Sequence, residues 1–502
     1  MDKNFSKRTI LLNAVTSSLQ VLVVGITHFI LYRVLIKTIG VERLGIWSVV
    51  LATTSIANIG NFGLAGSVVK FVSKYLARGD EESACGVIQT AAISLSILMG
   101  ALLLAAYPLA AWLLSYVIPK ARLHEAHAIL PFSLLSLWLS IIGSVFNGSM
   151  DGYQKIWMRN ALIMCASVIY LVLGAMSVSR FGLMGLAYSQ VAQAAVILVG
   201  SWSLLKGFIP ALPLLPFRWS WKLFKEMVGY GANFQLISVF TLLLDPVTKS
   251  LLSKFGGLSV TGYYEMANKM VIQLRGLIFN ANRVLVPAIA GLHENNPDAI
   301  QEIYKKNYRL LLFISLPLFS SVIAFSPVIS RIWVGHYEPV FVFFTIVLSA
   351  AFFMNTLPGP AFFSYLGTGD LGWSTAAYAV EAFLNPLLCF VLGSNFGGKG
   401  VAVGWSLTLI TGGCIIIFSY HRKNKISLKE LIPRESLLIS LASIAGPACT
   451  FELYKLLEHS DIVLLSTSIV LLYGTILSIP IMLHPMRKTL ISWFTRALLK
   501  RG

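Results

Sequence analysis

The chain has 502 residues, 56% of them hydrophobic and only 12% charged, with a mean hydropathy of +0.77. Soluble domains carry about 25% charged residues, so this composition excludes a water-soluble fold and points to repeated bilayer crossing. The net charge of +18 is spread over many short loops, which fits membrane topology and not a nucleic-acid-binding surface.

Apolar windows of about 20 residues predict spans at Thr9–Leu35, Gly45–Val72, Gly86–Val117, Ala128–Met150, Asn160–Ser179 and Leu183–Leu205. After a connector come Phe234–Lys249, Gly262–Ala290, Leu310–Ile332, Val340–Leu366, Ser374–Gly393 and Val401–Tyr420. Two more, Ser436–Tyr454 and Ile462–Leu483, close the membrane part. The expected fold is an all-α polytopic membrane protein of about 14 transmembrane helices: two pseudo-symmetric six-helix lobes plus a C-terminal helix pair. Its parts are an N-terminal lobe (1–206), an interfacial connector (207–229) rich in Trp, Pro and Lys, and a C-terminal lobe (230–420). A basic linker with helices 13 and 14 (421–484) and an amphipathic basic tail (485–502) follow.

Placing the N-terminus inside puts about 25 of the Lys and Arg residues on inner segments and about 11 on outer ones, so both termini are expected in the cytoplasm. The first apolar segment lacks a small-residue cleavage site and reads as a spanning helix. The five cysteines lie apart, mostly inside apolar spans, with neither metal-ligand nor disulfide spacing, and read as small buried hydrophobes. No cofactor is expected. No nucleophile elbow, P-loop or HExxH motif occurs, and the outer loops are too short to carry a catalytic centre, which argues against an enzyme. The Gly-rich stretch Gly393–Gly400 reads as a turn in an outer loop.

An internal repeat joins the two halves. Lys37-x-x-Gly40-x-x-x-x-Gly45-x-Trp47 sits between spans one and two. Lys254-x-x-Gly257-x-x-x-x-Gly262-x-Tyr264 sits between spans seven and eight, at a constant offset. Two lobes so related commonly enclose a central site and work by alternating access.

Charge inside these spans locates the candidate site, because an ionisable group facing hydrocarbon costs at least about 2.5–3.5 kcal/mol and so faces a bundle interior or a wet cavity. Glu265, Lys269, Gln273, Asn280 and Arg283 fall within roughly 80° of one another on a helix turning about 100° per residue, with Arg275 to one side. Arg283, Arg275, Lys269, Gln273 and Asn280, with Arg33 of span one, are the expected contacts to an anion. Guanidinium forks suit phosphate oxygens. Asp245, Glu265, Glu381 and His28 are the expected coupling or counter-ion groups, while pairing with Lys249, Lys269 or an arginine is the plainer role for the acids. Glu265 and Lys269, one helical turn apart, can also neutralise each other. In span two, Asn58 and Asn61 with Gly60, Gly63 and Gly66 make a small-residue stripe that close helix packing explains.

The run Arg33-x-x-x-Lys37-x-x-Gly40-x-Glu42-x-x-Gly45-x-Trp47, then Asn58-x-Gly60-Asn61-Phe62-Gly63-Leu64 and Leu76-Ala77-Arg78-Gly79-Asp80, resembles the N-terminal signature of polysaccharide transporters in the MOP exporter superfamily. The O-antigen flippase (Wzx-type) branch is the nearest match, and Gly257-x-x-x-x-Gly262-x-Tyr264-x-x-Ala267-x-Lys269 is similar to the same family. The resemblance implies a flippase for polyprenyl-diphosphate-linked oligosaccharide, with two lobes around a cationic cavity. It also implies a bacterial inner-membrane location, and polysaccharide polymerase and glycosyltransferase machinery as candidate partners. Many members carry an acid where this chain has Asn61, and the span-one acid of some multidrug relatives is missing here. A cation-coupled multidrug exporter of the MATE type is the alternative; it would need an acidic or aromatic cavity, against the basic balance of span eight.

Overall fold

The structure, a computed structural model, describes residues 7–61, 63–282, 289, 292, 298–431 and 435–487. These residues are almost wholly helical, with no strand among them. The N-terminal half holds α1 (Lys7–Ile39), α2 (Val41–Ser55), α3 (Leu64–Ala77), α4 (Glu81–Val117), α5 (Lys120–Gly152), α6 (Ile156–Phe181) and α7 (Leu183–Phe208). Then come α8 (Trp221–Gly256), α9 (Leu258–Asn282), α10 (Asp298–Trp333), α11 (Pro339–Thr356), α12 (Gly359–Thr368) and α13 (Gly372–Asn424). The short α14 (Leu428–Leu431) leads to the pair α15 (Glu435–Leu456) and α16 (Ile462–Leu483).

Eleven segments of the described residues are long and apolar enough to cross a membrane. The 53-residue α13 counts once among them, yet Gly397 inside it has φ 63° and ψ −151°, a conformation open to glycine that breaks it into two helices. Helices α8 and α9, at 36 and 25 residues, are also long enough to span. With both halves of α13 and these two helices included, every one of the fourteen expected spans has its helix. Large apolar side chains at the protein surface, such as Leu104, Phe383, Ile444 and Val463, make the face that lipid covers.

Local chemistry sets where the helices begin and break. Asp80 caps α4 by accepting from the Ser83 amide at 2.9 Å. Hydrogen bonds from Ser83 hold its carboxyl below the usual carboxylate range. Span two, expected as one helix, is interrupted: α2 passes into a 3-10 turn (Ile56–Asn61), and Gly63 then takes φ 68° ahead of α3. The polar Asn58–Gly63 stretch is the place where the α-helical ladder fails. Span ten is likewise divided, with Pro358 heading α12. The Gly-rich stretch read as an outer loop is instead helical on both sides of Gly397. Cys165 and Cys449 also depart from expectation: both are exposed on the apolar surface, whereas Cys85 and Cys389 are buried.

The chain divides into two compact units. The first comprises Met1–Glu265 and Asn385–Val401. Its core gathers Leu64, Val68, Val72, Ile88, Leu95, Val145 and Met150 from α3, α4 and α5. In it, the residues after α7 are pinned to α4: Gln89 Oε1 accepts from the Phe217 and Arg218 amides, and Thr90 Oγ1 from Ser220, each at 3.2 Å. Helix α8 begins directly after this clamp, at Trp221. The second unit comprises Met266–Leu384 and Ala402–Gly502. There α15 and α16 pack on α10, burying Ala324, Val328, Tyr454, Leu465, Ile469 and Tyr473.

Candidate functional site

Charge in the first unit converges on one carboxylate. Glu265, 2% exposed at the start of α9, receives Lys249 Nζ of α8 at 2.8 Å. The same ammonium reaches Asp245 one turn earlier on α8, at 2.9 Å. Two helices of the N-terminal half complete the group: Tyr32 of α1 donates to Glu265 Oε1 at 3.2 Å, and Ser48 of α2 donates to Oε2 at 2.8 Å. A carboxylate taken out of water needs such partners, since an unmatched buried charge costs several kcal/mol. Asp245 is half-exposed, and Pro246 follows it, freeing a backbone carbonyl in the turn before. His28 stands beside the group, its Nδ1 2.8 Å from the Val24 carbonyl and its ring edge-on to Tyr32 with centroids 6.1 Å apart.

The repeat seen in the sequence organises these contacts. Ser48 and Glu265 are 217 residues apart, so the two hydrogen-bonded partners are repeat equivalents of each other. At the same offset Tyr32 answers Lys249 and His28 answers Asp245, so each half contributes an i, i+4 pair directed at the shared centre. The backbone repeats too: Gly40 has φ 82°, ψ 163° ahead of α2, and Gly257 has φ 84°, ψ 172° ahead of α9. The close approaches are reciprocal. A Cβ on Gly45 would collide with the Leu258 carbonyl, and a Cβ on Gly262 would collide with the Val41 carbonyl. These glycines let two backbones touch about a local pseudo-two-fold, which a side chain at either position forbids. Tyr32, Ser48 and the central place of Lys249 were not singled out by sequence. Extending the repeat across both halves would have found all three.

The second unit holds a different arrangement. Arg275 of α9 lies with its guanidinium 4.9 Å from the Phe279 ring centroid and 5.8 Å from that of Phe352 on α11. Its Nε is buried without a hydrogen-bond partner, and no carboxylate lies within ion-pair distance among the described residues. Glu381 in the first half of α13 is 3% exposed and likewise has neither ion pair nor hydrogen bond among the described residues. Arg275 is the charge that acts on it. Gly412, in the second half of α13, leaves room for the Glu381 carboxyl, and a Cβ there would strike it.

The remaining expected residues fall as follows. Lys269 and Gln273 are half-buried on α9, and Arg33 is exposed on α1. Asn280 lies within α9, with its side chain outside the description, and Arg283 lies outside the described residues. The structure thus brings together Asp245, Glu265 and His28 in one unit, and Arg275 and Glu381 in the other. Among the described residues no cluster of His, Cys, Asp or Glu could hold a metal ion.

The fold is that of the MOP superfamily transporters. It is similar to an inward-facing MATE-family multidrug resistance transporter, with TM-score 0.68 at 15% identity, over 80% of this chain and 94% of that one. It is similar also to the lipid II flippase MurJ in an inward closed conformation, with TM-score 0.65 at 16% identity, over 88% and 96% of the two chains. Residues 34–337 match the family described as polysaccharide biosynthesis protein, and the chain belongs to that family. A Shigella flexneri protein provisionally named an O-antigen transporter is 19% identical over 393 residues, which is 77% of this chain and 92% of that protein. The chain is therefore a multi-pass membrane protein of the polysaccharide biosynthesis protein family.

Proposed function

We propose that this protein is a flippase that moves a polyprenyl-diphosphate-linked oligosaccharide, a surface-polysaccharide precursor such as an O-antigen unit, across the bacterial cytoplasmic membrane by alternating access. Its cavity is cationic: the diphosphate meets arginine and lysine while the polyprenyl tail stays in lipid through a lateral opening. One observation carries the reading. Arg275 is a guanidinium set against two aromatic rings, its Nε unsatisfied and no carboxylate paired with it among the described residues, a state that calls for an anion. Lys249 is already shared by two acids, so it belongs to the scaffold of the site and not to its ligand-facing part. Arg283, Lys269 and Arg33 add positive charge, and Gln273 and Asn280 offer donors for phosphate or sugar oxygens. Both termini lie in the cytoplasm, and the six-helix lobes at 1–206 and 230–420 rock about the bound headgroup.

Vesicles reconstituted with the purified protein and given a fluorescent polyprenyl-diphosphate sugar test this reading. Wild type moves the lipid between leaflets, and Arg275→Glu and Arg283→Glu each reduce the rate at least about tenfold while inserting normally, since reversing a charge at the headgroup exceeds about 1.4 kcal/mol. Transport of a labelled organic cation in place of the glycolipid would favour the multidrug exporter instead.

A further inference from the structure

Glu381, buried, and Arg275, half-buried with its Nε shut away from solvent, are oppositely charged groups that decline to pair. Glu381 is shut into the second unit beside Gly412, and Arg275 rests on Phe279 and Phe352. The groups that face Glu381 among the described residues are few. Arg275 comes from α9 and Tyr378 from its own helix, the two linked through the rings of Phe279 and Phe362 (centroids 6.1 Å apart) and of Phe362 and Tyr378 (6.3 Å), while the second half of α13 sets Gly412 against the carboxyl. A carboxylate so placed, with no donor on it, is stable only with a proton or with a cation brought to it. Among the described residues the one cation acting on it is the one that the proposed function assigns to the diphosphate.

We propose that Glu381 is a proton-operated competitor for Arg275, so that the protein takes up a proton together with its anionic headgroup and releases both together. With the Glu381 carboxyl protonated, Arg275 has no internal anion and is open to a phosphate oxygen. When the proton leaves to water, the Glu381 carboxylate draws the guanidinium to itself and the phosphate loses its main counter-charge. Gly412 gives the carboxyl its neutral resting place, because the Cβ of any larger residue there would collide with it. The step balances as one proton bound per headgroup bound. This inference rests on Arg275 being an anion contact, and the test separates the two ideas.

The full-length protein in detergent micelles is titrated with farnesyl diphosphate between pH 6 and pH 8 by calorimetry. Wild type loses affinity with rising pH by up to about tenfold per pH unit beyond the ligand's own ionisation, the limit for one linked proton. Glu381→Gln binds tightly throughout and keeps only the ligand's own pH dependence. Arg275→Gln binds weakly at every pH, with that same residual dependence. Repeating the wild-type titration in buffers of different ionisation enthalpy counts the proton directly and needs no variant to fold. Equal pH dependence in wild type and Glu381→Gln, or no proton taken up, overturns the competition even if Arg275→Gln still weakens binding. A pH dependence removed by Tyr378→Phe and not by Glu381→Gln overturns it too. Farnesyl diphosphate failing to bind wild type at any pH sinks the anion-site reading itself, and the inference with it.

Discussion

Glu265 shows how much one buried carboxylate can oblige its neighbours to do. It is held by an ammonium from α8 and hydroxyls from α1 and α2, and the loss of one partner leaves the rest uncompensated. Lys249→Met should therefore destabilise the protein by about 3–5 kcal/mol, the usual cost of stranding a buried charge. The double variant Lys249→Met/Glu265→Gln should recover most of that loss, because a neutral amide can still accept from one of the Tyr32 and Ser48 hydroxyls through its oxygen and donate to the other through its NH2. Thermal melts of the three proteins in one detergent check this, and a double variant no better than the single would show that the ion pair is incidental. At this scale the sequence named the charged residues and offered Lys249 as a partner for Asp245, a pair that forms, but not that Glu265 shares the same ammonium. Its i, i+4 rule offers Glu265 the nearby Lys269, whereas the salt bridge that forms crosses to Lys249 on another helix.

At the scale of elements, the reciprocal glycine contacts are among the most exacting packing in the first unit. Gly45→Ala and Gly262→Ala each set a methyl against a backbone carbonyl, and each should cost about 1–3 kcal/mol. Their effects should be less than additive, since either one already parts the same two helix ends. A double-mutant cycle on the melting temperature measures this, and full additivity would mean the two contacts are independent. Helix existence was almost completely legible, because a run of about 20 apolar residues leaves a chain little alternative in lipid. Interruptions were harder. Pro358 and Gly397 announce their breaks by chemistry, but the 3-10 turn at Ile56–Asn61 follows from a polar stripe that helix packing alone could equally explain. The connector's tie to Gln89 and Thr90 of α4 depends on a long-range approach that no local pattern encodes.

For the molecule as a whole, the family match and the shared fold are the ground on which the proposed transport role stands, and the site then has to say what is carried. A cationic headgroup site gains affinity from charge, so uptake of the glycolipid should weaken with ionic strength, and less steeply in Arg275→Gln than in wild type. Flipping assays at low and at high salt measure the two slopes, and equal slopes would remove Arg275 from the headgroup site. The repeat was legible only at the glycines and aromatics of one joint, because the two halves have since specialised side chain by side chain. Its reach to Ser48 and Glu265 lies one position beyond the quoted motif, at the same offset, while their hydrogen bond emerges only from the contacts.

That last pair has a history in it. A duplicated gene begins with two identical copies, and a position on the symmetry axis then meets its own image. Two serines can face each other there and share a proton, whereas two glutamates in hydrogen-bond contact would repel. The contact between Ser48 and Glu265 keeps the acid on one side only: it joins equivalent positions of the two repeats, and ionised acids at both would set like charges in hydrogen-bond contact. Glu265→Ser, which makes the two equivalent positions alike, should be tolerated once Lys249 is neutralised, while Ser48→Glu, which sets two acids face to face, should not.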